Sequence, residues 1–294
     1  MAVAPRIDDR LRRAGWLALG AAVLTVGLIT YGSWVRTSGS GLGCPDWPLC
    51  EGAIVPELQG ATAIEFGHRL FAGVTMLTAA AAAWFAWRGR RSDAVAARLV
   101  MGAFAAILFQ AGLGGATVLT ELHGMVRLAH LTTAMATLGL LTAGAIRALG
   151  VPPTPSPSLR TATALLVGVA FVVLVGGAVL GAGVSGGCPG FPLCDERSTA
   201  GAAWLHGAHR VAGALLVVAL VGSTLELRRL RGTRLAVGLN HAAATLVAVQ
   251  IGIGIWAVTQ DLPGSLRVLH LGVATVVWWA IVGQWALVKV ARNR

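Results

Sequence analysis

"FQAGLGGATVLTELHGMVRLAHL", residues 109–131, runs without a gap along "VQIGIGIWAVTQDLPGSLRVLHL", residues 249–271. Gln110 stands over Gln250, Gly112 over Gly252, Arg127 over Arg267 and His130 over His270. A second stretch repeats in the same way. "EFGHRLFAG" at 65–73 matches "HGAHRVAGA" at 206–214, with His68 over His209 and Arg69 over Arg210. A third, "GCPDWPLC" at 43–50, returns as "GCPGFPLC" at 187–194. The offset stays between 140 and 144 throughout, so one unit is written twice.

Composition says what the unit is made of. The 294 residues are 56% hydrophobic and 12% charged, about half the charge of a soluble domain. Roughly 20 apolar residues suffice to cross a bilayer as a helix. Such windows lie at about 15–36, 66–87, 97–119, 125–147, 161–184, 204–225, 235–257 and 267–288. The expected fold is an all-α membrane protein of eight transmembrane helices, arranged as two pseudo-symmetric four-helix bundles. Each unit has an even number of spans, so both enter from the same side, as a tandem parallel repeat. The halves would be residues 1–148 and 160–294, joined by a Pro/Ser-rich cytoplasmic linker over 149–159. The first span is too long for a signal-peptide core and lacks a small-residue cleavage site, so it is expected to be retained.

The net charge of +11 does not point to nucleic acid, because its distribution is topological. Seventeen of the 23 basic residues fall before span 1, in the even-to-odd connections and at the C-terminus. By the positive-inside rule both termini are cytoplasmic and the chain is multi-pass in the cell membrane. Cys44, Cys50, Cys188 and Cys194, the only cysteines, then lie outside the cytoplasm, where disulfides persist. Two short staples, Cys44–Cys50 and Cys188–Cys194, are the simple expectation. A four-thiolate zinc site is the alternative, although the usual two-residue spacing of its ligands is absent. The C-x-x-C-H pattern of covalent haem attachment is absent too. Trp34 and Trp47 read as interfacial anchors.

Four of the seven histidines are duplicated: His68, His130, His209 and His270. Each lies near the outer end of an even-numbered span, so the members of each pair can share a depth. Ionisable groups inside spans are costly and mark function. Zinc or copper usually takes three or four protein ligands, whereas each half offers two. Two axial imidazoles around a macrocycle describe a haem. Arg127 and Arg267, one turn outward from His130 and His270, are candidate partners for haem propionates. Arg69 and Arg210 are further candidates, and interfacial snorkelling is the alternative for all four. The halves differ where Glu65 is replaced by His206. Glu65 is either a catalytic carboxylate beside the first site or a helix cap. His123, aligned with Pro263, reads as a surface residue, and His241, aligned with Met101, is not assigned to a haem. Gln110, Gln250 and the glycines 112, 114, 252 and 254 read as helix-packing positions.

On eight spans in two halves, paired cysteine loops, four histidines and Glu65-x-x-His68-Arg69, the chain resembles the haem A synthase family over essentially its whole length. The resemblance implies oxidation of the C8 methyl of haem O to a formyl group by successive hydroxylation, with oxygen from water. The product, haem A, serves terminal oxidases. His68 and His130 would flank the substrate haem, and His209 and His270 would be the axial ligands of a haem b cofactor. Glu65 would be catalytic. The resemblance also implies a redox role for Cys44 and Cys50, contact with haem O synthase and terminal oxidase assembly factors, and an unidentified electron acceptor. Two alternatives stand beside it: a di-haem b quinol oxidoreductase, and a non-enzymatic haem-handling assembly protein.

Overall fold

A computed structural model describes residues 8–152, 158–229 and 234–290. Residues 153–157 of the expected linker, and Arg6, Arg231, Arg292 and Arg294 of the basic flanks, lie outside the described residues. The fold is all-helical, with no strand among the described residues. Its long helices are α1 (Asp9–Thr37), α2 (Gly60–Arg88), α3 (Ala94–Leu119), α4 (Gly124–Ala148), α5 (Leu159–Gly181), α6 (Ala200–Arg229), α7 (Arg234–Thr259) and α8 (Gly264–Lys289). All eight are long and apolar enough to cross a bilayer, and the protein is a multi-pass membrane protein.

Most helices overrun their apolar windows by a few residues, and polar side chains cap the starts of α1, α3 and α5 beyond the apolar stretch. The Asp8 carboxylate accepts from the Arg10 amide, Asp93 from the amides of Val95 and Ala96, and the Ser158 hydroxyl from the Thr161 amide. Each cap satisfies amides that the first helical turn leaves unpaired.

Within the first four helices α1 packs on α2 and α4, α2 on α3, and α3 on α4. Within the last four α5 packs on α6 and α8, α6 on α7, and α7 on α8. Alanine makes the first set close. Ala14, Ala18, Ala21 and Ala22 of α1 face Ala79, Ala82 and Ala86 of α2 in one buried cluster with Leu138 and Leu141. Without a hydrophobic drive in lipid, such small faces let helices gain dispersion contacts by near backbone approach. The second set is filled by larger aliphatics, including Leu165, Leu216, Leu220, Val247 and Ile281.

Helices α1, α4, α5 and α8 join the two sets. The start of α4 meets the end of α5 at Gly124 and Gly181, so closely that a Cβ on Gly124 would collide with the Gly181 carbonyl. The start of α8 meets the end of α1 at Gly264 and Thr37, the positions that the repeat aligns with those two. Deeper in, Trp278 Nε1 of α8 donates to the Met135 carbonyl of α4 at 2.9 Å. At the opposite end of the helices, Arg147 is 8% exposed, pairs with Asp93 at 3.0 Å and donates to the Val290 carbonyl at 3.2 Å. One of the topological arginines therefore also ties α4 to the ends of α3 and α8.

Candidate functional site

The four repeated histidines project from α2, α4, α6 and α8. His68 lies within electrostatic range of His130, and the rings of His209 and His270 stand edge-on, with centroids 6.4 Å apart and planes at 69°. Two imidazoles bound to one metal at about 2 Å each, with the ring radius added, place their centroids about 6 Å apart. The second pair therefore has the span that bis-histidine ligation needs. His209 Nδ1 lies 3.2 Å from the Val172 carbonyl, which leaves Nε2 available to a metal. That is the usual outer partner of a metal-bound imidazole. The Gln250 amide nitrogen lies 3.1 Å from the His270 ring nitrogens. Gln110, its repeat counterpart, donates instead to the His130 carbonyl at 2.9 Å. Both glutamines thus touch a site histidine, beyond the packing role expected for them.

Each imidazole also lies over a glycine of the preceding helix. An ideal Cβ would stand 3.3 Å from His68 Cε1 at Gly32, 3.6 Å from His130 Cε1 at Gly114, 2.8 Å from His209 Cε1 at Gly176 and 3.0 Å from His270 Cε1 at Gly254. Gly32 and Gly176 are equivalent through the cysteine-loop offset, and Gly114 and Gly254 through the α3–α4 offset. Aligning the two loops was the signal that would have found the first pair.

Buried side-chain polar atoms without a partner gather here. Among the described residues they are Ser33 Oγ, His68 Nδ1, Gln110 Oε1, Arg127 Nε, His130 Nδ1 and Gln250 Oε1. An unpaired buried polar group costs about 1–3 kcal/mol, so such a concentration points to a missing polar ligand. Five of the six belong to α1, α3 and α4 or to His68 of α2, around the first histidine pair. The residues present fit a haem in each half by their paired imidazoles and nearby cationic side chains, and around the first pair also by the unsatisfied polar atoms.

The arginines divide into two kinds. Arg69 and Arg210 turn to the cysteine loops. Arg69 donates to the carbonyls of Leu49 at 2.7 Å, Asp46 at 3.0 Å and Cys44 at 3.0 Å. Arg210 donates to the carbonyls of Pro192 at 2.7 Å and Cys188 at 3.4 Å. Their observed partners are backbone oxygens and, for Arg69, the Glu65 carboxylate at 3.1 Å, rather than open space for a propionate. Among the described residues Arg127 and Arg267 have no such contacts. Arg36, in the last turn of α1, lies within electrostatic range of both. The three come from α1, α4 and α8, which pack on one another.

The loops are closed by Cys44–Cys50 and Cys188–Cys194 disulfides, so no thiolates are left for zinc. In the first loop, Asp46 accepts from the amides of Glu51 at 2.6 Å and Gly52 at 2.9 Å. Those amides, Gly52 foremost, hold its carboxyl below the ordinary carboxylate range. Trp47 is more than an interfacial anchor: its indole lies over Gly115 of α3, where a Cβ would come within 2.7 Å.

Glu65 is 7% exposed and pairs with Arg69 at 3.1 Å. It lies in the second turn of α2, whose N-cap is Gln59, so it does not cap the helix. His206, its counterpart, points elsewhere, with Nε2 at 2.9 Å from the Val184 carbonyl. His123 sits at the N-cap position of α4 with no side-chain capping bond.

The sequence matches the COX15-CtaA family, described as cytochrome oxidase assembly protein, over residues 15–63 and 56–282. It is 34% identical to a protein of Symbiobacterium thermophilum named heme A synthase, over 90% of this chain and 92% of that one. Proteins of the same name from Halalkalibacterium halodurans and Exiguobacterium sibiricum are 27% and 26% identical. They are matched over 91% and 86% of this chain, and over 93% and 88% of their own lengths. With eight spanning helices and a family match across nearly all of them, the chain belongs to the COX15-CtaA family of cytochrome oxidase assembly proteins, the family of the haem A synthases.

Proposed function

We propose that the protein is a haem A synthase, an oxidoreductase that converts the C8 methyl of haem O to a formyl group. The observation that carries this is the duplicated histidine pair, at bis-ligating separation in the second half and surrounded by unsatisfied polar atoms in the first. In this assignment residues 1–148 hold the substrate haem between His68 and His130. Residues 160–294 hold haem b through His209 and His270. The bound haem b supplies one-electron redox chemistry beside the substrate half. The chain's own residues do the rest. Val172 fixes the His209 ring, the glycines under the four rings set their tilt, and Arg127 and Arg267 offer cations for propionates. Glu65 supplies the one acid of the constellation, and its position in the substrate half fits water activation or stabilisation of charge at the reacting methyl.

The chemistry sets a balance. Converting a methyl to an alcohol with water as oxygen donor releases two electrons and two protons, and a second such step gives a geminal diol that loses water to the aldehyde. Four electrons therefore leave for an acceptor. A di-haem quinol oxidoreductase would account for the histidines but not for the Glu65/His206 difference. The arginine distribution supports insertion in the cell membrane with cytoplasmic termini and the disulfide loops outside. Haem O synthase and oxidase assembly factors are the partners this role calls for.

The test is spectroscopic. His209→Ala and His270→Ala should each abolish the low-spin bis-histidine haem b spectrum of the purified protein while the chain still inserts. An unchanged spectrum in both variants would reject the assignment.

A further inference from the structure

We propose that Arg69 is the positioning residue for Glu65, and that the closed Cys44–Cys50 loop is what holds Arg69 in place. The inference rests on the catalytic assignment of Glu65. A guanidinium has five N–H donors in a planar fork. Arg69 commits Nε to Glu65 Oε1, both Nη1 hydrogens to the Asp46 and Leu49 carbonyls, and one Nη2 hydrogen to the Cys44 carbonyl. Four of the five are spent on acceptors of this chain. Three of those acceptors belong to the loop, and two of them sit at or beside the cysteines that close it.

The loop is itself over-determined. The disulfide joins its ends, Cys50 and Ala53 exchange backbone bonds at 3.0 Å, Asp46 gathers two amides, and Trp47 rests on α3. A planar fork pinned at three points by such a loop presents its remaining edge to Glu65 in one orientation. Rigid support of this kind holds an acid at productive geometry.

The second half serves as an internal comparison. Arg210 grips its own loop through Pro192 and Cys188, yet among the described residues no acid is paired with it: His206 stands where the first half has Glu65, and it turns to Val184. The arginine–loop unit is common to both halves. Coupling it to a carboxylate is peculiar to the half assigned to the substrate. Reduction of Cys44–Cys50 by a dithiol would break the S–S bond. The two sulfurs would take up two electrons and two protons, the dithiol would become a disulfide, and the carbonyls that hold Arg69 would be freed.

The experiment is a pair of double-mutant cycles on the full chain with haem O, read by product analysis. Arg69→Gln and Cys44→Ser/Cys50→Ser should each lower kcat by about ten- to a hundredfold, with KM for haem O within about twofold. Placed in a Glu65→Gln background, either change should cost less than about twofold more, as expected of residues acting through one group. Where Arg69→Gln fails to insert, dithiothreitol treatment of a Cys188→Ser/Cys194→Ser protein, which keeps only the Cys44–Cys50 disulfide, supplies the loop arm of the cycle. Turnover should fall and return on reoxidation, and the residual rate of Glu65→Gln should not respond. Multiplicative losses, or losses confined to KM, overturn the Arg69 proposal and leave the role of Glu65 standing. Normal turnover in Glu65→Gln alone overturns both.

Discussion

Tyr31 and Gly67 are cut to fit one another. A Cβ on Gly67 would strike the Tyr31 hydroxyl, and the Tyr31 ring stands edge-on to His68 with centroids 5.6 Å apart. The repeat places Val175 opposite Tyr31 and Ala208 opposite Gly67. One half therefore pairs a large residue with glycine, and the other a smaller residue with alanine. Gly67→Ala should overpack this contact, cost about 1–3 kcal/mol and disturb His68. Adding Tyr31→Val imports the pairing of the second half and should recover most of the loss. Thermal melting of both variants in detergent decides it, and a double variant no more stable than Gly67→Ala would refute the complementarity. None of this was legible in the "EFGHR" motif. The sequence shows that a glycine precedes His68, and only the approach of α1 shows what that glycine admits.

At the scale of a helix pair, four glycines set the room beneath four imidazoles. The distances grade the outcome of adding a methyl. At Gly176 the Cβ would stand 2.8 Å from His209, closer than carbon atoms tolerate, whereas at Gly114 it would stand 3.6 Å from His130, an ordinary contact. Gly176→Ala should therefore displace the His209 ring and strip or alter the haem b spectrum, and Gly114→Ala should be nearly silent. Equal damage from both would show that the glycines serve helix packing alone. That packing role is what the sequence suggested for Gly114 and Gly254. Periodicity identifies the face of a helix but not the side chain that a neighbour lays across it. The helices themselves were legible, because a bilayer demands about 20 apolar residues in a row. Their ends were less so, because Asp8, Asp93 and Ser158 extend them by capping beyond the apolar stretch.

At the scale of the molecule, three guanidiniums converge where α1, α4 and α8 meet. Arg127 and Arg267 are repeat partners, but Arg36 aligns with Leu180 and breaks the symmetry. The duplication, visible in the sequence, aligns α4 with α8. It could not foretell that α1 packs against both and carries a third cation to the same place. Among the described residues no acidic side chain is paired with any of the three. Like charges within electrostatic range of one another repel. Anions would relieve that repulsion, and the carboxylates of two porphyrins would supply them. The sign of a single substitution then depends on occupancy. In haem-free protein Arg36→Gln should relieve repulsion and raise the melting temperature. In haem-loaded protein the same change removes an attraction to the propionates, and should lower the melting temperature and weaken haem retention. Melting curves of wild type and Arg36→Gln, with and without haem, give four numbers. A shift of the same sign in both states would mean that Arg36 answers to lipid or water rather than to the porphyrin carboxylates.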